Sequence, residues 1–122
     1  MILVLTVALA GAIGAPARFT LDSWLQRRAR TTVPVGTMAV NVSGSFALGL
    51  ITALADRHLS STFQTVVGTG LLGAFTTFST FSFESVRLAE EGAWRALATY
   101  VGVTVVAGLA AAGLGLWIGS IP

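Results

Sequence analysis

The charged residues of this chain are gathered into a few clusters. Between them lie four runs without any charge: Met1–Ala17, Thr31–Ala55, Leu59–Phe83 and Ala96–Pro122. A helix needs ~20 apolar residues to cross a hydrocarbon core ~30 Å thick. Three runs meet that length outright, and the first meets it if Arg18 lies near an interface. Open strands leave backbone groups unpaired in lipid, so helices are required. The expected fold class is an all-α membrane protein with four transmembrane helices, roughly 2–24, 34–55, 62–88 and 94–118, in a single domain spanning 1–122. The connections, 25–33, 56–61 and 89–93, leave no room for a soluble domain. The first span has no basic residue before its apolar stretch, and Pro16 and Arg18 stand where a signal-peptidase site takes small residues. It reads as a retained helix.

Composition narrows the function. Only 10% of the residues are charged and 54% are hydrophobic, against ~25% charged in soluble domains; the mean hydropathy is +0.83. The isoelectric point near 10.5 comes from seven arginines and no lysine at a net charge of only +2. That is no surface for nucleic acid. Without cysteine there are no disulfides, thiolate metal sites or cysteine nucleophiles. No acids or histidines are spaced for catalysis, so an enzyme is not expected. Four short helices bury little surface, so a transport pathway calls for a second subunit. With four spans the termini share one side. Arg57 lies there, and Arg27, Arg28, Arg30, Arg87 and Arg95 lie opposite, which by the positive-inside rule sets the termini outside.

Polar residues inside the spans carry the information, because each needs a partner in lipid. In the second span Thr37, Asn41, Ser45 and Thr52 fall on one helical face beside Gly36, Gly44 and Gly49. Small residues and hydroxyls there can serve as helix–helix packing, but Asn41 is costly to bury and reads as functional. The third span has the centre Gly68-Thr-Gly-Leu-Leu-Gly-Ala-Phe-Thr-Thr-Phe-Ser-Thr-Phe-Ser82. Glycine and hydroxyl residues of low helix propensity predict a break at membrane depth. Its freed carbonyls could bind a cation. Phe75, Phe78 and Phe81 step by three among Thr76, Thr77, Ser79 and Thr80. In the fourth span Tyr100 and Thr104 lie one turn apart, followed by Gly108 and Ala112. Taken singly, Tyr100 reads as an interfacial anchor, Glu84 with Arg87 as a surface pair, Arg18 as a snorkelling side chain and His58 as solvated.

Three motifs are more specific. Gly11-Ala-Ile-Gly14-Ala-Pro-Ala-Arg18-Phe, Gly36-Thr-Met-Ala-Val-Asn41-Val-Ser-Gly44-Ser-Phe and Gly70-Leu-Leu-Gly73-Ala-Phe-Thr-Thr-Phe78-Ser-Thr-Phe81-Ser resemble the Fluc/CrcB family of fluoride channels. The likeness runs over essentially the whole chain. The resemblance implies an antiparallel dimer of four-helix subunits with two pores. It also implies passive, selective export of fluoride across the cell (inner) membrane. Asn41 matches the family's pore asparagine, and Phe78 and Phe81 match the pair whose ring edges face the ion. Gly73 and Thr76 match the break in helix 3, whose backbone carbonyls from both subunits hold a structural sodium at the dimer centre. Ser79, Thr80, Tyr100 and Thr104 fall at pore-lining hydroxyl positions. Arg18, Ser45 and Glu84 fall at supporting ones. Two features depart from the pattern: Gly108 and Ala112 stand where further hydroxyls would continue the polar track, and the arginine bias exceeds that expected of a dual-topology homodimer. The partner is therefore a second copy or an oppositely oriented homologue.

The physics agrees with that expectation. A small, strongly hydrated anion must exchange water for donors, and hydroxyls and an amide supply them without trapping charge. An aromatic ring presents a positive edge, and several weak sites let an ion leave as readily as it enters. A small-multidrug-type transporter is the competing reading, but it needs a carboxylate at mid-membrane, and residues 1–21 contain no acid. A non-conducting membrane assembly protein would use Asn41 and the phenylalanines for packing alone.

Overall fold

The computed structural model describes residues 1–56 and 59–122. The expectations resting on Arg57 and His58 lie outside the described residues. The chain is all-helical: α1 (Ile2–Ala29), α2 (Val35–Ala55), α3 (Ser61–Gln64), a π-helical segment (Thr65–Leu72), α4 (Gly73–Phe75), α5 (Phe78–Glu90) and α6 (Trp94–Ser120). Four stretches are long and apolar enough to cross a membrane: Ile2–Ala29, Val35–Ala55, Ser61–Glu90 and Trp94–Ser120. The protein is a multi-pass membrane protein.

Helix α1 continues past the expected residue 24. Leu25, Gln26, Arg27, Arg28 and Ala29 all favour helix, and the two arginines in the last turn complement the negative end of the helix dipole. The chain then reverses at Arg30, which adopts a left-handed conformation (φ 47°). Gln26 ties the reversal together. Its amide donates to the carbonyls of Thr31 and Val33, and its Oε1 accepts from the Gly36 N–H. At the other end of the third span, the N–H groups of Gly92 and Ala93 donate to the carbonyls of Ala89 and Leu88. Gly92 takes φ 68°. This is a Schellman termination, which needs a residue without Cβ strain at Gly92.

The helices meet through small residues. The most extensive packing joins α2 to α6, which run parallel. Gly49 faces the Ala112 carbonyl and Gly115 the Phe46 carbonyl, each without room for a Cβ; Gly119 stands against Ala53 and Leu50. Helix α1 packs on the π-helical segment in the same way, with Gly14 against the Leu71 carbonyl and Gly70 against Val7 and Ala10. Close backbone approach of this kind is how helices associate where lipid and side chain are equally apolar.

The third span is broken, as its glycine and hydroxyl content predicts; of the expected Gly73–Thr76 break, Thr76 is extended and the break runs on to Thr77, whereas Gly73 stays helical. Gly73 is helical (φ −62°, ψ −34°) and begins the short turn α4. The extended residues are Thr76 (φ −78°, ψ 158°) and Thr77 (φ −148°, ψ 121°). Two consecutive β-branched residues favour that conformation, and the Thr77 hydroxyl caps α5 by accepting from the Thr80 N–H. The stretch before the break is π-helical over Thr65–Leu72, a rare form that is frequent at functional sites.

If α2–α6 contact depends on bare backbone, Gly49→Ala and Gly115→Ala will each cost about 1–3 kcal/mol from overpacking. Gly113→Ala, where an added methyl meets open space, will cost nothing measurable. Thermal unfolding in detergent would show the difference, and equal midpoints for all three variants would contradict the packing described.

Candidate functional site: the broken third span

At the break, α2 presents Asn41, Gly44 and Ser45 on one face. The Asn41 Oδ1 accepts from the Thr77 N–H at 2.8 Å, and its Nδ2 donates to the Thr77 carbonyl at 2.9 Å. Gly44 lies against the Thr76 side chain with no space for a Cβ. Ser45 donates its hydroxyl to the Asn41 carbonyl at 2.8 Å. Between these residues and the third span is a cleft of about 280 Å³, reaching Leu72, Gly73 and Phe78. Phe78 is 79% exposed at its rim, an apolar ring beside a polar opening halfway along a membrane span.

The extended residues leave carbonyls without helical donors. Among the described residues no hydrogen bond ends on the carbonyls of Gly73, Ala74, Phe75 or Thr76. Gly73 is exposed. The donor set there is backbone oxygen alone, the kind of ligand a hard monovalent cation takes at a helix break.

A second cluster surrounds the start of α5. The Thr77 hydroxyl donates to Thr80 at 3.0 Å and lies 3.3 Å from the Ser79 hydroxyl. Arg18 of α1 reaches Thr80 at 3.5 Å, while its Nε is buried with no hydrogen-bond partner among the described residues. No carboxylate among the described residues lies within ion-pair distance of Arg18. The guanidinium and the α5 N-terminus thus put positive potential on the same end of the break.

The aromatic residues form a line. Phe78 and Phe81 have ring centroids 5.8 Å apart, and Phe81 and Tyr100 5.3 Å apart. Tyr100 is no interfacial anchor: it is wholly buried, and its hydroxyl donates to Glu84 at 2.7 Å. Glu84 is accordingly not the partner of Arg87, which pairs with Glu91 at 3.6 Å. The α2–α6 register sets Ser45 beside Gly108. One turn back it brings Asn41 level with Thr104, and a second turn back brings Thr37 level with Tyr100.

The hydroxyl protons divide into free and committed ones: that of Thr80, whose oxygen accepts from Thr77 and Arg18, is donated to no residue among those described. Those of Ser45 and Thr52 are donated to carbonyls of α2, that of Thr76 to the Leu72 carbonyl before the break, and that of Tyr100 to Glu84. Thr104 is buried and its hydroxyl has no partner among the described residues; the Thr37 hydroxyl, also buried, has none at ordinary hydrogen-bond distance but stands beside the Asp22 carboxyl and the Tyr100 hydroxyl. An orphaned buried hydroxyl calls for a water or an ion. Asn41 also keeps one amide hydrogen. Sequence reasoning did not single out Asp22, which packs against Gly36 and close to Thr37. Its position one turn after Arg18 was the available signal.

A family profile described as "CrcB-like protein, Camphor Resistance (CrcB)" matches residues 5–116. The chain is 52% identical over 122 residues to the "Fluoride-specific ion channel FluC 1" of Leifsonia xyli, covering 98% of this chain and 88% of the relative. It is 48% identical to the "Fluoride-specific ion channel FluC 2" of Cutibacterium acnes, over 95% of this chain and 96% of the relative. It is 42% identical to the "Fluoride-specific ion channel FluC" of Acidobacterium capsulatum, over 95% and 94%. With its four spans, its broken third helix and this likeness along nearly its whole length, the chain belongs to the CrcB family.

Proposed function

We propose that the chain is a subunit of a fluoride-selective channel in the cell (inner) membrane, not an enzyme, and that it exports fluoride passively and so lowers its cytoplasmic concentration. The observation that carries this reading is a neutral set of donors at membrane depth beside an aromatic line. The donors are the remaining Asn41 amide hydrogen and the unpartnered hydroxyl of Thr104. They can replace water around a small anion, and none carries a charge that would hold it. The rings of Phe78 and Phe81 offer their positive edges next to those donors. Arg18 supplies positive potential near the break without a direct ion-pair partner among the described residues. The names of the curated relatives agree with this assignment.

The cleft and the exposed backbone at Gly73 would leave polar groups facing lipid in a lone subunit. A second subunit covers them in this reading, either an inverted copy of the chain or an oppositely oriented homologue. The carbonyls of Gly73 to Thr76 fit a sodium ion shared between two such subunits. When bound, the ion would neutralise the convergence of carbonyl dipoles at the centre. The chain's own contribution is to hold those oxygens out of the helix. Replacing sodium by N-methylglucamine throughout purification is expected to lower the unfolding temperature of the assembly. Unchanged stability would contradict the cation site.

Fluoride efflux from liposomes tests the channel reading. The parent chain should pass fluoride and exclude chloride. Phe78→Ile and Phe81→Ile keep apolar bulk but remove the ring edge, so dimeric proteins with strongly reduced flux are expected. If both conduct like the parent, the aromatic pathway is refuted. The proton count makes a finer prediction. Thr104→Val removes a free donor at constant shape and should slow efflux about tenfold, the worth of one ordinary hydrogen bond. Ser45→Ala removes a hydroxyl whose proton is already committed to its own helix, and should slow it much less. The opposite order would contradict the assignment of donors.

A further inference from the structure

Asn41 spends most of its hydrogen-bonding capacity on the protein. It accepts from the N–H and donates to the carbonyl of one residue, Thr77. That is the two-bond exchange that a neighbouring strand makes with an extended residue, here made by a side chain inside a helical protein. Among the described residues no other side chain bonds the Thr77 backbone; the Thr77 hydroxyl bonds Thr80. The rest of this α2 face is shaped to the same segment, with Gly44 leaving room for Thr76.

We infer that Asn41 is a positioning residue: its amide clamps Thr77 in the extended state and thereby sets where Phe78 and the free carbonyls of Gly73 to Thr76 stand. This rests on the channel reading but adds to it a role that acts through the backbone. Without the clamp, the Thr77 N–H can return to its ordinary helical acceptor, the Gly73 carbonyl. Each residue so wound in turns α5 by ~100° relative to α4. Phe78 and Phe81 then leave the cleft, and carbonyls that were open become paired. The two sides of the break are joined at one residue, so a change that frees Thr77 disturbs the aromatic line and the carbonyl cluster together.

Substituting Asn41 cannot separate this role from direct contact with the ion. The test therefore leaves Asn41 intact and alters the two backbone groups it holds, by nonsense suppression with α-hydroxy acids in the full chain. The α-hydroxy analogue at Thr77 replaces its N–H with an ester oxygen. Phe78→phenyllactate turns the Thr77 carbonyl into an ester carbonyl, a poorer acceptor. Phe83→phenyllactate, within α5 and facing outward, is the control for an ordinary helical bond. In the fluoride-efflux assay the two esters at the break should each lose about tenfold or more, and the control should stay near the parent. If both break esters conduct like the parent, the clamp is not what positions the site.

A second measurement covers proteins that fail to assemble and a parent that passes no fluoride, the result that would overturn the channel reading alone. In bilayers, the Thr77 Cα and Cβ chemical shifts should be those of extended backbone in the parent and move to helical values in Asn41→Ala. Extended values retained in Asn41→Ala would overturn the inference.

Discussion

The third span depends on one pair of hydrogen bonds, from the side chain of Asn41 to the two backbone groups of Thr77. In lipid an unpaired backbone group costs several kcal/mol, so a helix cannot open at membrane depth unless something replaces the bonds it gives up. Asn is suited to this because its amide carries a donor and an acceptor side by side, as a peptide does. The rest follows locally. Thr77, held extended, can cap α5 with its hydroxyl, and α5 then starts with Phe78 at the rim of the cleft.

The same constraint divides the polar groups into two kinds. Some, such as the hydroxyls of Ser45, Thr76 and Tyr100, are consumed in holding the fold. Others, such as that of Thr104, remain buried and without a partner among the described residues. A hydroxyl that has given its proton to a carbonyl presents only lone pairs, which an anion avoids. Polarity alone therefore does not identify an anion pathway; the direction of each proton does. The absence of side chains at Gly108 and Gly44 has a different use, giving open space beside Ser45 and letting Thr76 approach α2.

Much of this was legible in the sequence, and the limits have physical causes. The four spans followed from where charge is missing, and the broken third helix from Gly68, Gly70, Gly73 and the threonines after them. The resemblance put the break at Gly73–Thr76; Thr76 is extended as expected, but the second extended residue is Thr77 and Gly73 stays helical. What selects the extended pair is a side chain from another helix, a tertiary contact that local propensity does not contain. Asn41 was visible as a costly polar residue, but its partner was not. Tyr100 and Glu84 read singly as an anchor and half of a surface pair; only the packing of α5 on α6 brings them to 2.7 Å. Thr37 was visible only as a member of the polar face of the second span, and Asp22 not at all, because what brings them together is the α1–α2 approach at Gly36.

The central claim is that Asn41 grips the backbone of Thr77 in the membrane. It can be measured in the intact chain by solid-state NMR in bilayers, recording the dipolar coupling between 15N at the Asn41 side-chain amide and 13C at the Thr77 carbonyl. The account predicts a coupling that corresponds to ~4 Å, as an N–H···O bond at ordinary length requires. A coupling too weak to detect, with Thr77 continuing a helix from Phe75, would contradict it.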